Sequence, residues 1–403
     1  MSILSLSLGF QISGVLLAQI ITCIELHCIK PNKCVSSLHT FKKYFENIRS
    51  PLKRHYCCLK HKVEVTCNFC EKCGHNEKVI YFIEIPILPQ LFSMFKRPKF
   101  YELLQHRFNR KKINDDNLED IYDGSTYKEI EDKGYVSGLN NITFTWNSDG
   151  VKIFNSSKFS IWPFYLVINE LPFSERYKKE NVILAGLWFG FSKPNPNLFL
   201  KSFKNDLLRL YKGVRVRLNN LNFIKIQGFT ICGTCDLCGK AIFLFLSQHN
   251  GEYGCPRCKQ ESHSVNSVPV YPFNDNLELR TTKDTKKVAD KVVKDPIEGV
   301  KGRSYLEKIA YNYIENTACD IMHIIINLGK RLNRIWFDSK YHDHEASMRQ
   351  HLNLVNQRMN ALRPPDFVPR KPGTIDDSGH WKASFLVKKF FWPNARFARP
   401  PIA

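Results

Sequence analysis

Ser13 precedes a run in which Val15, Leu16, Ile20, Cys23 and Ile24 recur at close to helical spacing, and a serine there can cap the first turn. Residues 14–48 therefore read as helical, ending in the basic-aromatic stretch from Phe41 to Phe45. Residues 78–91 read as a strand stopping at prolines, and 95–117 as a helix with Arg107, Arg110, Lys111 and Lys112 near its end. From 141 the period drops to two. Ile142, Phe144 and Trp146 alternate, break at Asn147-Ser148-Asp149-Gly150 and resume at Val151 and Ile153, the pattern of a hairpin with Asp149 in its turn. Apolar strands follow at 160–171 and 181–190, then an amphipathic helix at 197–213 stopped by Gly213, then a strand running to Cys232. A lysine-rich connector spans 280–303, with Gly299 and Gly302 as a flexible join. Residues 313–338 read as a helix carrying Asp320 and His323 and closing on Lys330, Arg331 and Arg334.

Several strands, a crossover helix, a further strand and a helix make an α/β (α+β) layer in the order of a ribonuclease-H-like mixed sheet with flanking helices. In such a layer, carboxylates at the first strand and at the end of the fourth lie side by side. Together they can hold a pair of Mg²⁺ ions that activate a water or 3′-hydroxyl and stabilise the leaving oxygen of a phosphodiester. Asp149 and Asp236 stand in those two places. Plain turn chemistry is the simpler account of Asp149, since Asp-Gly favours turns. Asp320, three residues before His323, competes for the second place, and helix capping is its simpler role.

The fourteen cysteines cluster instead of scattering, which favours zinc in a reducing compartment over a disulfide framework. Cys235/Cys238 and Cys255/Cys258 form two Cys-x2-Cys pairs at the spacing of a four-cysteine zinc site. Cys58-x2-His61 followed by Cys67-x2-Cys70 supplies four ligands for a smaller zinc knuckle, with Cys57 and Cys73 as spares. A pair of buried thiols is the alternative for this smaller knuckle, and the paired spacing favours zinc.

Composition sharpens this picture in one respect. With 43% hydrophobic and 13% aromatic residues the chain is a folded one, yet 59 basic against 38 acidic residues leave it at +21. A folded protein this basic suits a polyanion, and nucleic acid is the commonest. The basic cluster at Arg107, Arg110, Lys111 and Lys112 could track phosphates or complement a helix dipole. No glycine-rich phosphate loop occurs, which argues against a nucleotide-hydrolysing motor. Residues 2–24 carry no charge but have no basic leader either, and polar residues interrupt the run, so neither secretion nor a membrane is expected.

The segments NITFTWNSDGVKIFNSSKFSIWPFYLVINELP, KKENVILAGLWFG, CD…HNGEYGCPRC, DIMH and HWKAS, in this order, resemble the transposase-like proteins allied to CACTA-type cut-and-paste elements. The resemblance runs from the N-terminal knuckle to about Ser384. It implies metal-dependent DNA strand cleavage and transfer by an Asp-Asp-Glu triad on a ribonuclease-H-like fold, with Mg²⁺ or Mn²⁺, in the nucleus and as a homo-oligomer when active. Asp149 matches the first aspartate and Asp236 the second. Cys255 and Cys258 with His323 and one more histidine match an inserted structural zinc site, which leaves Cys235 and Cys238 outside it; the four-cysteine ribbon is the alternative. Relatives follow the Trp-Lys-Ala-Ser run with a glutamate, whereas Phe385 follows Ser384 here. Glu345 could substitute, although a solvated helix face is its plainer role. The expectation is a transposase-derived DNA-binding protein impaired in catalysis; the alternative is a zinc-stabilised DNA-binding or protein-interaction module without chemistry. The expected organisation is a helical segment (1–50), a zinc knuckle (51–76), a basic helical connector (77–140), the core (141–260), an insertion with helices (261–384) and a divergent tail (385–403).

Overall fold

The computed structural model describes residues 13–29, 35, 37–44, 51–74, 79–152, 158–218, 222–361 and 374–376. Its strands are β1 (Lys53–Cys58), β2 (Val63–Val65), β3 (Val79–Glu84), β4 (Asn141–Asn147), β5 (Val151–Lys152) and β6 (Ser160–Ile168). They continue as β7 (Val182–Gly190), β8 (Val214–Leu218), β9 (Asn222–Cys235), β10 (His263–Val265), β11 (Val268–Val270) and β12 (Thr317–Cys319). The main helices are α1 (Gly14–His27), α2 (Leu38–Tyr44), α3 (Ile87–Phe95), α4 (Ser125–Asp132) and α5 (Pro196–Lys201). After them come α6 (Lys204–Lys212), α7 (Leu237–Phe243), α8 (Thr282–Ala289), α9 (Ile321–Phe337) and α10 (Leu352–Ala361).

The chain divides into two compact units, Met1–Lys53 and Arg54–Ala403. In the first, Ser13 caps α1 by accepting the Leu16 N–H at 3.2 Å. Leu17 and Ile21 are buried with Phe41 from α2, while Val15, Leu16 and Ile24 of the expected apolar side are exposed. The expected continuous helix stops at His27, and Cys28 is extended, three residues ahead of Pro31.

The second unit is built on a mixed ten-stranded sheet in the order β12-β9-β4-β6-β7-β3-β1-β2, with β5 on β6 and β8 on β9. β4, β6 and β7 form an antiparallel meander, whereas β9 runs parallel to β4 and β12 parallel to β9. The pleat explains how β4 becomes central. Ile142, Phe144 and Trp146 enter the main core with Leu91, Phe199, Phe203 and Phe243 from the helices. Thr143 and Thr145 face the other way, where Glu170 and Asn169 bond their hydroxyls beneath Tyr122 and Tyr127. With helices on both faces, each large side chain so buried contributes about 1.5–3 kcal/mol. Trp146 also lies flat on β9: a Cβ at Gly233 would sit 2.0 Å from its indole, so no larger residue fits.

Four local expectations change. The run at 78–91 breaks at Pro86 into β3 and α3, because Asp206 accepts the Ile87 and Leu88 N–H groups at 2.8 and 3.2 Å and caps a new helix. Val151–Lys152 does not fold back on β4; it pairs with Ile161 and Ser160 of β6, so Asp149 lies on a strand-to-strand link and not in a tight hairpin. The lysine-rich connector contains α8, started by Thr281 capping the Asp284 N–H at 3.1 Å. The helix expected from 313 begins only at Ile321, since Thr317–Cys319 pairs with Gly233–Cys235 as the edge strand β12.

Arg107 and Arg110 are used internally. Arg107 donates to Tyr127 Oη and the Gly138 carbonyl, and Arg110 grips the buried Asp123 carboxylate with both terminal nitrogens. That bond, aided by the Asp120 and Glu119 N–H groups, holds Asp123 far below the usual carboxylate range. A depressed carboxyl contributes stability above its unfolded pKa of about 4, lost as pH falls toward the folded value. Asp123→Ala is expected to cost about 3–5 kcal/mol in urea unfolding at pH 7, with a flatter acid limb than the wild type.

Candidate metal centres

The best-formed ligand group is in the turn after β1. Among the described residues, Cys58, His61, Cys70 and Cys73 bring their ligand atoms within 4.8 Å of one another. Cys58 Sγ lies 3.5 Å from Cys73 Sγ and 3.6 Å from His61 Nδ1, which is 3.6 Å from Cys70 Sγ and 3.3 Å from Cys73 Sγ. Tetrahedral zinc with bonds of about 2.3 Å to sulfur and 2.0 Å to nitrogen sets ligand atoms roughly 3.5–3.8 Å apart, so the quartet fits a structural metal such as zinc. Burial opposes ionisation of Cys58, yet the His61 N–H and the neighbouring thiols and imidazole bring its pKa below the usual thiol value. The expected ligand Cys67 is exposed and outside the quartet; Cys73 takes its place. Cys57 alternates with Cys58 along β1, enters the main core, and is raised by burial to about 12, which keeps it a neutral thiol.

Three aspartates collect at the opposite flank of the sheet. Asn147 pairs with Thr234 on the parallel β4–β9 ladder, and Cys319 pairs with Cys235 on the β9–β12 ladder. Asp149 is two residues beyond its ladder position, Asp236 two beyond Thr234, and Asp320 directly follows Cys319. The three side chains therefore leave the C-terminal ends of three adjacent parallel strands at one level. Asp236 caps α7, its Oδ1 accepting the Gly239 N–H at 2.5 Å. Asp320 donates its backbone N–H to the Cys235 carbonyl at 2.7 Å, and its Oδ2 meets His323 Nδ1 at 2.6 Å. Asp149 accepts the Gly150 N–H at 2.7 Å, and Ser148 beside it has a buried hydroxyl with no hydrogen-bond partner among the described residues.

Electrostatics ties the group together. Burial first, then the charge of Asp236, with a smaller push from Asp320, raises the pKa of Asp149. The hydrogen bond to Asp320 raises that of His323, burial opposes it, and the charges of Asp149 and Asp236 add to the rise. Like charges crowded in a half-buried place favour protonation or a bound cation. The carboxylates suit a hard divalent ion in donor type, but among the described residues their ligand atoms do not gather within 4.8 Å of one another as those of the Cys/His quartet do.

The inserted zinc site is not assembled as expected. Cys255 accepts the Arg257 and Cys258 N–H groups at 3.4 and 3.3 Å, the local turn of a Cys-x2-Cys knuckle. His323 turns to Asp320 instead, and among the described residues no three-ligand group contains Cys255 or Cys258. Cys255 acts electrostatically on the buried Lys240, together with Cys319 and Cys235. Cys235 closes β9 with its thiol buried, and Cys238 is in the first turn of α7, so this pair spans a strand end and a helix start, not a knuckle. The Trp381–Ser384 run and Phe385 lie outside the described residues.

A family model described as a protein of unknown function, DUF1258, matches residues 40–267, more than half the chain. The match spans the Cys/His quartet, Asp149 and Asp236, and ends before Asp320 and His323. No curated protein matches the sequence. Among the described residues no helix is long and apolar enough to cross a membrane.

Proposed function

Taking as premise that the chain belongs to the DUF1258 family, we propose that it is a zinc-braced, DNA-binding protein with a divalent-metal site for phosphodiester cleavage on a ribonuclease-H-like core. One observation carries this reading: Asp149, Asp236 and Asp320 end three adjacent parallel strands in register. The sheet supports it, because an antiparallel β4-β6-β7 meander followed by parallel β9 and β12 is the strand order of that core. The +21 charge suits a DNA partner, and with it the nucleus. The chemistry matches the strand cleavage and transfer of the transposases that the sequence resembles, with Asp320 as the third acid in place of the glutamate absent at position 385.

Asp149, Asp236 and Asp320 would hold Mg²⁺ or Mn²⁺, which supplies a metal-activated nucleophile and charge stabilisation at the phosphorus. The chain's own part is to fix the carboxylates. Asp236 is anchored by its cap on α7 and Asp320 by His323, both on rigid elements. A second reading, a DNA-binding module without chemistry, is favoured by Phe385 standing where the resemblance expects a glutamate. Conversion of supercoiled plasmid to the nicked form in Mn²⁺ separates the two. Nicking supports the cleavage reading; none with Mg²⁺ or Mn²⁺, alongside salt-sensitive DNA binding, leaves the second.

A further inference from the structure

His55 on β1 stands between two carboxylates. Its Nδ1 meets Glu64 Oε1 on β2 at 2.8 Å, and its Nε2 meets Glu84 Oε2 at the end of β3 at 2.7 Å. The strand order β7-β3-β1-β2 sets these groups in line across the sheet. The His55 ring lies flat on Phe82 of β3, with centroids 4.9 Å apart and planes 9° from parallel. Phe82 stacks in turn on Trp188 of β7 at 5.4 Å. Glu64 pairs with Cys57 on the β1–β2 ladder, so His55 reaches it along the diagonal. The side chains of His55 and Glu84 are 19% and 8% exposed.

This arrangement asks for a proton on each ring nitrogen. A neutral imidazole has one N–H and one lone pair, so it could donate to one glutamate only and would set its lone pair against the other. A carboxylate is also the weaker base, so a shared proton rests on the imidazole. The other charged and titratable neighbours agree with a cationic ring. Lys201 of α5 lies 3.7 Å from the second Glu64 oxygen and offsets the extra negative charge. Arg54, next along β1, sets its guanidinium over Tyr81, and Cys57 stays a neutral thiol. The bond to Glu84 raises the His55 pKa above 6.5, burial opposes it, and the bond to Glu64 and both carboxylate charges add to the rise.

The strands so joined carry half the quartet. β1 ends in Cys58, and the turn from β1 to β2 holds His61. We propose that His55 is a proton-operated clasp, which as the imidazolium ties β2 and β3 together across β1 and on losing its proton frees the β1–β2 hairpin to open. A histidine whose pKa is raised by folding contributes its stability in full below the unfolded value of about 6.5, and loses it as pH rises through the folded value. Zinc ligation has the opposite sign, because thiols deprotonate as pH rises and hold the metal better.

Two measurements on the zinc-loaded full chain test it between about pH 5 and about pH 9. The His55 ring nitrogens, followed by long-range nitrogen-15 NMR, are expected to titrate with a midpoint above 6.5. Glu84→Gln should lower that midpoint. Amide exchange in β1 and β2, corrected for its intrinsic pH dependence, should lose protection by up to about tenfold per pH unit above pH 6.5. His55→Gln should remove this slope, whereas a merely structural histidine would shift protection equally at every pH. A wild-type midpoint at or below 6.5 would overturn the proposal, as would the same slope in His55→Gln as in the wild type. The ring titration needs only the wild type, so it decides the matter if His55→Gln fails to fold.

Discussion

Asp236→Asn is expected to reduce Mn²⁺-dependent nicking by about a thousandfold or more while the protein stays folded. Asparagine keeps the oxygen that caps α7 through the Gly239 N–H, and it is as good a cap as aspartate. What disappears is the negative charge facing Asp149. A metal site contributes several kcal/mol of charge stabilisation, and about 4 kcal/mol corresponds to a thousandfold in rate. Asp149→Asn should do the same, with its bond to the Gly150 N–H retained. Asp320→Asn is the telling variant, since it asks whether the third strand end serves as the third acid. Nicking at the wild-type rate after Asp320→Asn would return Asp320 to the role of a helix cap. Plasmid nicking rates beside thermal unfolding curves separate lost chemistry from lost fold.

Cys73→Ser is expected to remove bound zinc and destabilise the Arg54–Ala403 unit, whereas Cys67→Ser should leave both unchanged. The contrast follows from the quartet, which contains Cys73 and excludes Cys67. Zinc bound only by the folded chain stabilises it by about 4 kcal/mol at free metal a thousandfold above Kd, and a ligand removed from the quartet forfeits most of that. The loss should concentrate near β1 and β2, because the quartet closes the turns next to them. Metal content by elemental analysis, with unfolding followed in parallel, checks it. Zinc retained in Cys73→Ser and lost in Cys67→Ser would restore the ligand set suggested by sequence spacing.

Sequence made some of these positions plain and hid others for identifiable reasons. The strand-end positions of Asp149 and Asp236 are readable from the chain because Asp149 comes two residues after an apolar strand and Asp236 directly after one. The sequence pattern puts Asp320 on a helix because the strand before it, Thr317–Cys319, is three residues long and made only by pairing with β9, which no local pattern announces. The quartet's ligands were nearly legible. Cys67, Cys70 and Cys73 recur every third residue, so spacing alone could not say which one the fold turns outward. The Asn-Ser-Asp-Gly turn signal was sound locally but misjudged its partner, since Val151 found β6 instead of β4. Only the resemblance links His323 to Cys255 and Cys258; in the fold its ring meets the Asp320 carboxylate three residues earlier.

Titrating Mn²⁺ into the protein and following the free-ion electron paramagnetic resonance signal asks directly whether the three strand ends hold divalent ions together. The wild type is expected to deplete the signal, with Asp149→Asn, Asp236→Asn and Asp320→Asn each binding at least about tenfold more weakly, a loss of roughly 1.4 kcal/mol. Identical Mn²⁺ binding in the wild type and all three variants would contradict a shared metal site at Asp149, Asp236 and Asp320.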